Sequence, residues 1–331
     1  MLRRLFVASI SLSLFIIGCS DESAKRSLPS STGKSGELII VVDTAYMHNK
    51  TGKALEQVFM EELYGVPRSE PLFNVVTVTP KGFTSMLKIV RNVLQLDINS
   101  ANKTEIIVQN DVFANDQLII TISAKNDQSA ANIISKNKDK LQQLFDQEEL
   151  KRTKSRLILN TNKDKQDSLL MNHGYTVAFP KEYFLSMDST DFFFLRKNRV
   201  VGDHQILQGL MIYSYPYTDD SSFVSERIVN KMEGFISNVK TQPKGFMQVE
   251  RQYPILSEEV NFNDAYSVQL SGLWRVEGIF MGGSFFNYTV VSADKTKLIG
   301  VYGFVYAPKF NHREYLRELK ALSYTLSQSE K

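Results

Sequence analysis

Hydrophobic positions follow two regimes along this chain. Leu38 to Val42 is an unbroken aliphatic run, the pattern of a strand buried on both faces. Thr51 then caps a helix running to about Tyr64, with Leu55, Val58, Phe59 and Leu63 on one face and Gly65 and Pro67 ending it. Phe73 to Val78 reads as a second strand. Phe83, Leu87, Val90 and Leu94 recur at helical spacing, which predicts a helix from Phe83 to Leu94. Thr104 to Val108 and Gln117 to Ile122 read as two further strands. Asp127 to about Arg156 predicts one long polar helix, with Ile133, Ile134, Leu141, Leu144 and Phe145 as a thin apolar stripe. Residues 37–160 thus form an α/β layered domain built on a sheet.

The polar stretch Leu157 to Asn172 marks a boundary, and a second domain over 161–331 follows the other regime. It opens with Tyr175 to Pro180, an alternating strand stopped by proline. Strands are expected at Phe192–Lys197, Leu207–Tyr215, Gly245–Gln252, Ala265–Val276, Gly283–Val291 and Leu298–Tyr306. A helix over Phe223–Val239 buries Val224, Ile228, Met232 and Phe235, and one over Asn311–Leu326 buries Tyr315, Leu319, Leu322 and Leu326. Asn311 and Glu314 are spaced as a capping pair for the latter. Runs of strands with segregated helices imply an α+β domain with a mostly antiparallel sheet and flanking helices. The chain as a whole is therefore expected to be α+β.

The residues before the first strand change the picture. Arg3 and Arg4 precede a charge-free run from Leu5 to Ile17. That run is shorter than the about 20 apolar residues a membrane span needs and fits the core of a signal peptide, residues 1–18. Ile16-Ile17-Gly18-Cys19 resembles the bacterial lipobox, and Cys19 is the chain's only cysteine. The resemblance implies cleavage before Cys19 and a diacylglyceryl thioether with an acylated amine on it, hence a membrane partner reached through lipid. Each buried methylene contributes about 0.8 kcal/mol, so several chains anchor stably where one does not. Ser20 to Gly36, rich in Ser, Gly, Lys and Pro, completes a flexible tether over 19–36 with a reach of roughly 20–25 Å. Ser20-Asp21-Glu22 either resembles the acidic signal that sends lipoproteins of Bacteroidetes to the cell surface or is an ordinary solvated leader.

Charge excludes one class of partner. The formal charge of +3 falls to +1 without Arg3 and Arg4, and no basic block interleaves with aromatics, so no nucleic acid is expected. Catalytic constellations fare no better. His48-Asn49-Lys50-Thr51-Gly52-Lys53 lies where a phosphate loop would, but Met47 and Ala54 break the pattern. His48, His173, His204 and His312 share no zinc-ligand spacing, and no cofactor or metal is expected. Ser284 follows two glycines without the helix a nucleophile elbow requires. Asp219-Asp220 suit the positive end of the helix after them, and Asp188 and Asp191 lack calcium-loop spacing.

The candidate contact surface is aromatic. Alternation puts Tyr213, Tyr215 and Tyr217 on one face. They are either a stacking surface for a sugar or partner peptide, or a packing face for the helix that follows. Trp274, the only tryptophan, lies in an apolar strand and is either core or a ligand platform.

Gly209-Leu210-Met211-Ile212-Tyr213-Ser214-Tyr215-Pro216-Tyr217, Gly272-Leu273-Trp274, Met281-Gly282-Gly283 and Gly303-Phe304-Val305-Tyr306-Ala307-Pro308 carry a family likeness, joined by Leu28-Pro29-Ser30-Ser31-Thr32-Gly33 and Arg91-Asn92. Together they resemble the Bacteroidetes lipoprotein family known as domain of unknown function 4837, over essentially the whole mature chain. Ser284 stands where that family's pattern has proline, which would loosen a turn there. The resemblance implies lineage, tether and a two-part body, and no activity. Residues 174–326 are also similar in outline to Mog1/PsbP-like domains, which favours a binding module. The expectation is an outer-membrane lipoprotein, facing periplasm or cell surface, that binds an envelope protein or glycan. The alternative is a hydrolase or transferase using acidic residues and tyrosines.

Overall fold

A computed structural model describes residues 27–241 and 245–329. Cys19 and the signal-like leader lie outside the described residues. The aliphatic run becomes β1 (Glu37–Val41) and is followed by α1 (Thr44–Met47), α2 (Lys50–Phe59), β2 (Asn74–Val78), α3 (Ser85–Lys88), β3 (Asn92–Ile98), β4 (Glu105–Asn110) and β5 (Leu118–Ala124). Two helices, α4 (Asp127–Lys136) and α5 (Lys138–Leu159), complete this half. Its sheet runs β2-β1-β3-β5-β4, parallel except where β4 pairs antiparallel with β5. Leu38, Ile40 and Val42 face a core shared with Val58, Phe59, Ile134 and Phe145, while Ile39 and Val41 pack with Val90 and Val93 on the opposite side.

Three expectations for this half are corrected. Only Ser85–Lys88 of the Phe83–Leu94 stretch is helical, because Asn92–Ile98 is recruited between β1 and β5, and burial there outweighs local spacing. The single helix over Asp127–Arg156 is two, interrupted at Asn137, whose side-chain Nδ2–H donates to Ile133 O at 2.8 Å. The tether does not extend freely to Gly36. Ser30 and Thr32 bridge to Asn115 and Val90, and Arg91 N donates to Thr32 O at 2.9 Å, so the body begins by Ser30.

The second half comprises α6 (Lys163–His173), β6 (Tyr175–Thr176), β7 (Phe184–Ser189), β8 (Phe192–Val201), β9 (His204–Pro216), α7 (Ser225–Ile236), β10 (Lys240–Thr241), β11 (Gly245–Val249), β12 (Leu256–Phe262), β13 (Ala265–Val276), β14 (Ile279–Val291), β15 (Lys297–Tyr306), α8 (Arg313–Ser323) and β16 (Ser327–Gln328). One antiparallel sheet runs β10-β11-β13-β14-β15-β9-β8-β7, with β12 also paired to β13. The expected α+β class is observed. One face packs Tyr213, Met211, Trp274 and Phe304 against Ile228, Val229 and Met232 of α7. The other packs Leu210, Ile212, Phe286 and Val301 against Leu316, Leu319 and Leu322 of α8.

Glycine makes the first face possible. A Cβ on Gly300 would lie 2.2 Å from Tyr213 Cζ. That ring cannot withdraw, because it stacks on Phe235 at 4.5 Å and its hydroxyl donates to Asn287 Oδ1 at 2.8 Å. Gly300→Ala should therefore cost about 1–3 kcal/mol. Gly234→Ala, at an exposed position of α7 with open space around it, should instead stabilise by up to about 1 kcal/mol. Urea unfolding of both variants checks this, and equal midpoints would refute it.

Candidate functional site

The tyrosine strip is not a contact surface. Tyr213 and Tyr215 are buried and stacked on each other at 6.2 Å beneath α7, and Tyr217 is half-buried with its ring against Phe223. Its hydroxyl donates to Asp220 Oδ1 at 2.7 Å. These rings take the packing role because the helix after them brings Phe235 down onto the strand. Trp274 is buried too, but on the wall of a cavity.

That cavity, about 590 Å³, lies where four separated segments meet, one of which gives only Glu250, just after β11. The β13–β14 hairpin supplies Trp274, Ile279, Phe280 and Met281. The loop after α2 supplies Val66, Pro67, Arg68 and Glu70, and the β15–α8 loop supplies Tyr306 to Pro308, Phe310, Asn311 and His312. The hairpin turns through Glu277-Gly278, with Gly278 at φ +76°, and carries Phe280 fully exposed at its tip. Behind the tip, Trp274 faces Gly283 in register, and its indole N–H donates to Val305 O at 3.2 Å. A Cβ on Gly283 would sit 2.0 Å from that same carbonyl. The Met281-Gly282-Gly283 motif thus lets an indole cross one strand to reach the next.

Polar groups are few and mostly committed. Glu250 pairs with Arg275 at 3.5 Å. The Arg68 guanidinium donates to Pro308 O at 2.9 Å and forms no ion pair among the described residues. Glu70 is 2% exposed. Its Oε2 accepts the backbone N–H groups of His312 at 2.8 Å and Arg313 at 3.1 Å, while Oε1 has no hydrogen-bond partner among the described residues. Glu70 therefore caps α8 from the other half of the molecule. The expected Asn311–Glu314 capping pair does not form: the cap residue is His312, its side chain makes no cap bond, and Glu314 turns to Arg313 and Arg317. Burial pushes the Glu70 carboxyl up, against the two backbone bonds that pull it down.

Ser284 proves to be a strand residue, not part of a loosened turn. Its Oγ lies 2.9 Å from His312 Nδ1, and His312 Nε2 lies 3.3 Å from Ala307 O. A carbonyl only accepts, so Nε2 carries the proton and Nδ1 accepts from the serine hydroxyl. Burial pushes the imidazole down to about 4. The pair has serine–base spacing, yet Ser284 is fully buried and does not line the cavity. No serine, threonine, cysteine or lysine lines it, and its two carboxylates are each engaged elsewhere. Among the described residues no group of three or more His, Cys, Asp or Glu is placed to hold a metal, and no helix is long and apolar enough to cross a membrane. The arrangement is suited to holding a ligand.

Sequence reasoning missed Arg68, Glu70 and the cavity itself. The only signals were the Gly282-Gly283 pair and Ala307-Pro308, read as family likeness and not as walls.

By architecture the chain joins an α/β sheet to an antiparallel α+β sheet. In its C-terminal part, residues 162–325 match the family described as Domain of unknown function (DUF4837). The likeness does not extend over the mature chain as expected, because residues 31–158 match a second family, Domain of unknown function (DUF8532). No curated protein matches the sequence. Similar solved structures include a protein of Bacteroides thetaiotaomicron VPI-5482, 10% identical over 48% of this chain with TM-score 0.27. The chain spans 47% of that protein's length. The Ran-binding protein Mog1p of Saccharomyces cerevisiae is 9% identical over 47% of this chain and 90% of its own, with TM-score 0.32. LpqN of Mycobacterium tuberculosis, described as involved in cell envelope biogenesis, is 9% identical over 47% of this chain and 83% of its own, with TM-score 0.30.

His312 gives a pH signature. Above pH 6.5 neither the folded nor the unfolded imidazole is protonated, so it contributes nothing to pH dependence. Between 6.5 and about 4 the unfolded chain binds a proton that the folded chain refuses, so stability drops as the pH is lowered through that window. The stability difference between wild type and His312→Gln should therefore shrink across that window in urea titrations. A difference independent of pH would refute it.

Proposed function

We propose that this protein is an envelope lipoprotein, anchored in the outer membrane through lipid on Cys19, whose body binds a small, largely apolar ligand and does not transform it. The basic leader, the short apolar run and Gly18-Cys19 support the anchor. The cavity carries the binding reading: its volume falls in the roughly 300–1,000 Å³ range of ligand sites, its walls are mainly apolar and aromatic, and a few polar groups are available for orientation. No activated nucleophile reaches it, which sets the hydrolase or transferase alternative behind the binding module. A site under the β13–β14 hairpin replaces the tyrosine strip as the place where a partner is recognised.

Two measurements test this. Cys19→Ala should abolish incorporation of a labelled fatty acid and release the protein from membranes, and undiminished labelling would sink the anchor. Trp274, the sole tryptophan, reports on the cavity. Its emission should change saturably with n-hexanol, with a Kd on the order of a millimolar or below, from about 0.8 kcal/mol per buried methylene. A response that only rises linearly would count against the site.

A further inference from the structure

Arg68 gives the ligand of this cavity a chemical identity, if the binding reading above holds. We infer that the cavity takes a monocarboxylate with an unbranched apolar tail, its head on the Arg68 guanidinium at the mouth and its tail along Leu273, Ile279 and Phe310. Burial orders the walls by depth. Arg68, Pro308 and Phe280 are exposed and mark the mouth. Leu273, Ile279 and Phe310 are half-buried, and Trp274 and Ala307 are buried. A molecule entering tail first therefore lays methylenes on apolar surface and leaves its head beside a charge.

Among the charged groups of the lining, Arg68 alone is both reachable and unanswered. Glu250 and Arg275 answer each other at 3.5 Å. Glu70 is buried on the α8 backbone, and its unbonded Oε1 is inaccessible to solvent. The nitrogens of His312 are used by Ser284 and Ala307. Arg68 spends one N–H on Pro308 O at 2.9 Å, and its others have no partner among the described residues. That bond fixes the guanidinium beside another residue of the mouth. A guanidinium stays ionised at any physiological pH, so the mouth carries a permanent positive charge that an anion would complement.

The number of cations narrows the head group. One guanidinium offers one fork, which matches the two oxygens of one carboxylate. A phosphate monoester carries about two charges at neutral pH and calls for a second cation. Arg275, the other arginine of the lining, is held by Glu250. Because Arg68 is exposed, its contact with an anion is screened by solvent. The tail therefore supplies most of the affinity, and the arginine selects among head groups.

The test uses the full-length protein at one fixed concentration of non-ionic detergent, with Trp274 emission as readout. The probes are hexanoate, n-hexanol, n-hexylamine and n-hexyl phosphate. Arg68→Ala should weaken hexanoate about threefold, as the loss of an exposed ion pair does, and leave hexanol unchanged. Partition into micelles is common to both proteins and cancels in that ratio. On wild type, raising NaCl from about 0.01 M to about 1 M should weaken hexanoate and not hexanol, because the Debye length falls from about 30 Å to about 3 Å. A circular-dichroism melt checks that the variant is folded, and if it is not, the salt series on wild type decides alone. Equal effects of Arg68→Ala on hexanoate and hexanol, or hexanoate binding that ignores salt, would overturn the inference and leave the apolar-site reading standing. Hexylamine binding tighter than hexanoate would overturn it by reversing the polarity. Arg68→Ala weakening hexyl phosphate more than hexanoate would overturn the choice of a carboxylate. No saturable response to any probe would overturn both readings.

Discussion

Helix α8 takes charge into the interior, and both halves of the molecule are arranged around satisfying it. Arg313, Arg317 and Glu318 are all buried, which a helix tolerates only if each is paired. Glu318 accepts from Lys197 at 2.9 Å, Tyr183 at 3.1 Å and Arg156 at 3.3 Å. Although burial raises its pKa, Lys197 and the other donors hold the carboxyl below its ordinary value. Arg317 reaches Glu314 at 2.6 Å and Asp146 at 3.2 Å, and Arg313 donates to Pro71 O. Glu70 closes the helix N-terminus. The partners come from α5, from the loop after α2, from β8 and from the segment before β7. The apolar side of the same helix covers the antiparallel sheet. A neutral helix could cover that sheet equally well. The charges add a fixed seat against the first half, since only that geometry answers every one of them.

The candidate site is a by-product of this docking. The loop 66–70 is held at the helix N-terminus by Glu70 and against Pro308 by Arg68, and so becomes one wall of a cavity whose other wall is the β13–β14 hairpin. Gly282 and Gly283 allow the strand to pass close enough for Trp274 to bond to β15. Glu70, the carboxylate that makes the seat, is also among the residues that line the cavity.

What could be read in the sequence was what burial writes locally. Strands β13 and β15 were legible because long apolar and aromatic runs match the pleat of a central strand, and α8 because Tyr315, Leu319 and Leu322 repeat at helical spacing. Strands β7 and β12 were not: Leu256–Phe262 carries Ser257, Glu258 and Glu259 on an exposed strand outside the main strand order, so no hydrophobic signal marks it. The 83–94 stretch misled because β3 is decided by its neighbours β1 and β5, not by its own spacing. The cap on α8 was invisible for a stronger reason. Glu70 and His312 are 242 positions apart, and no local pattern encodes a cap supplied from that distance. The cavity shares this origin, since its walls come from four separated segments.

The position of α8 after all of its charged partners in the sequence also sets an order in time. Its residues 313–323 are synthesised after Glu70, Pro71, Asp146 and Arg156, whose contacts they complete. The first half can assemble its own sheet early, but its outward charges find these partners only once α8 has been made. Completion of this fold is therefore a closing event at α8, and a chain stopped short of α8 would keep the second sheet uncovered on the face that α8 seals.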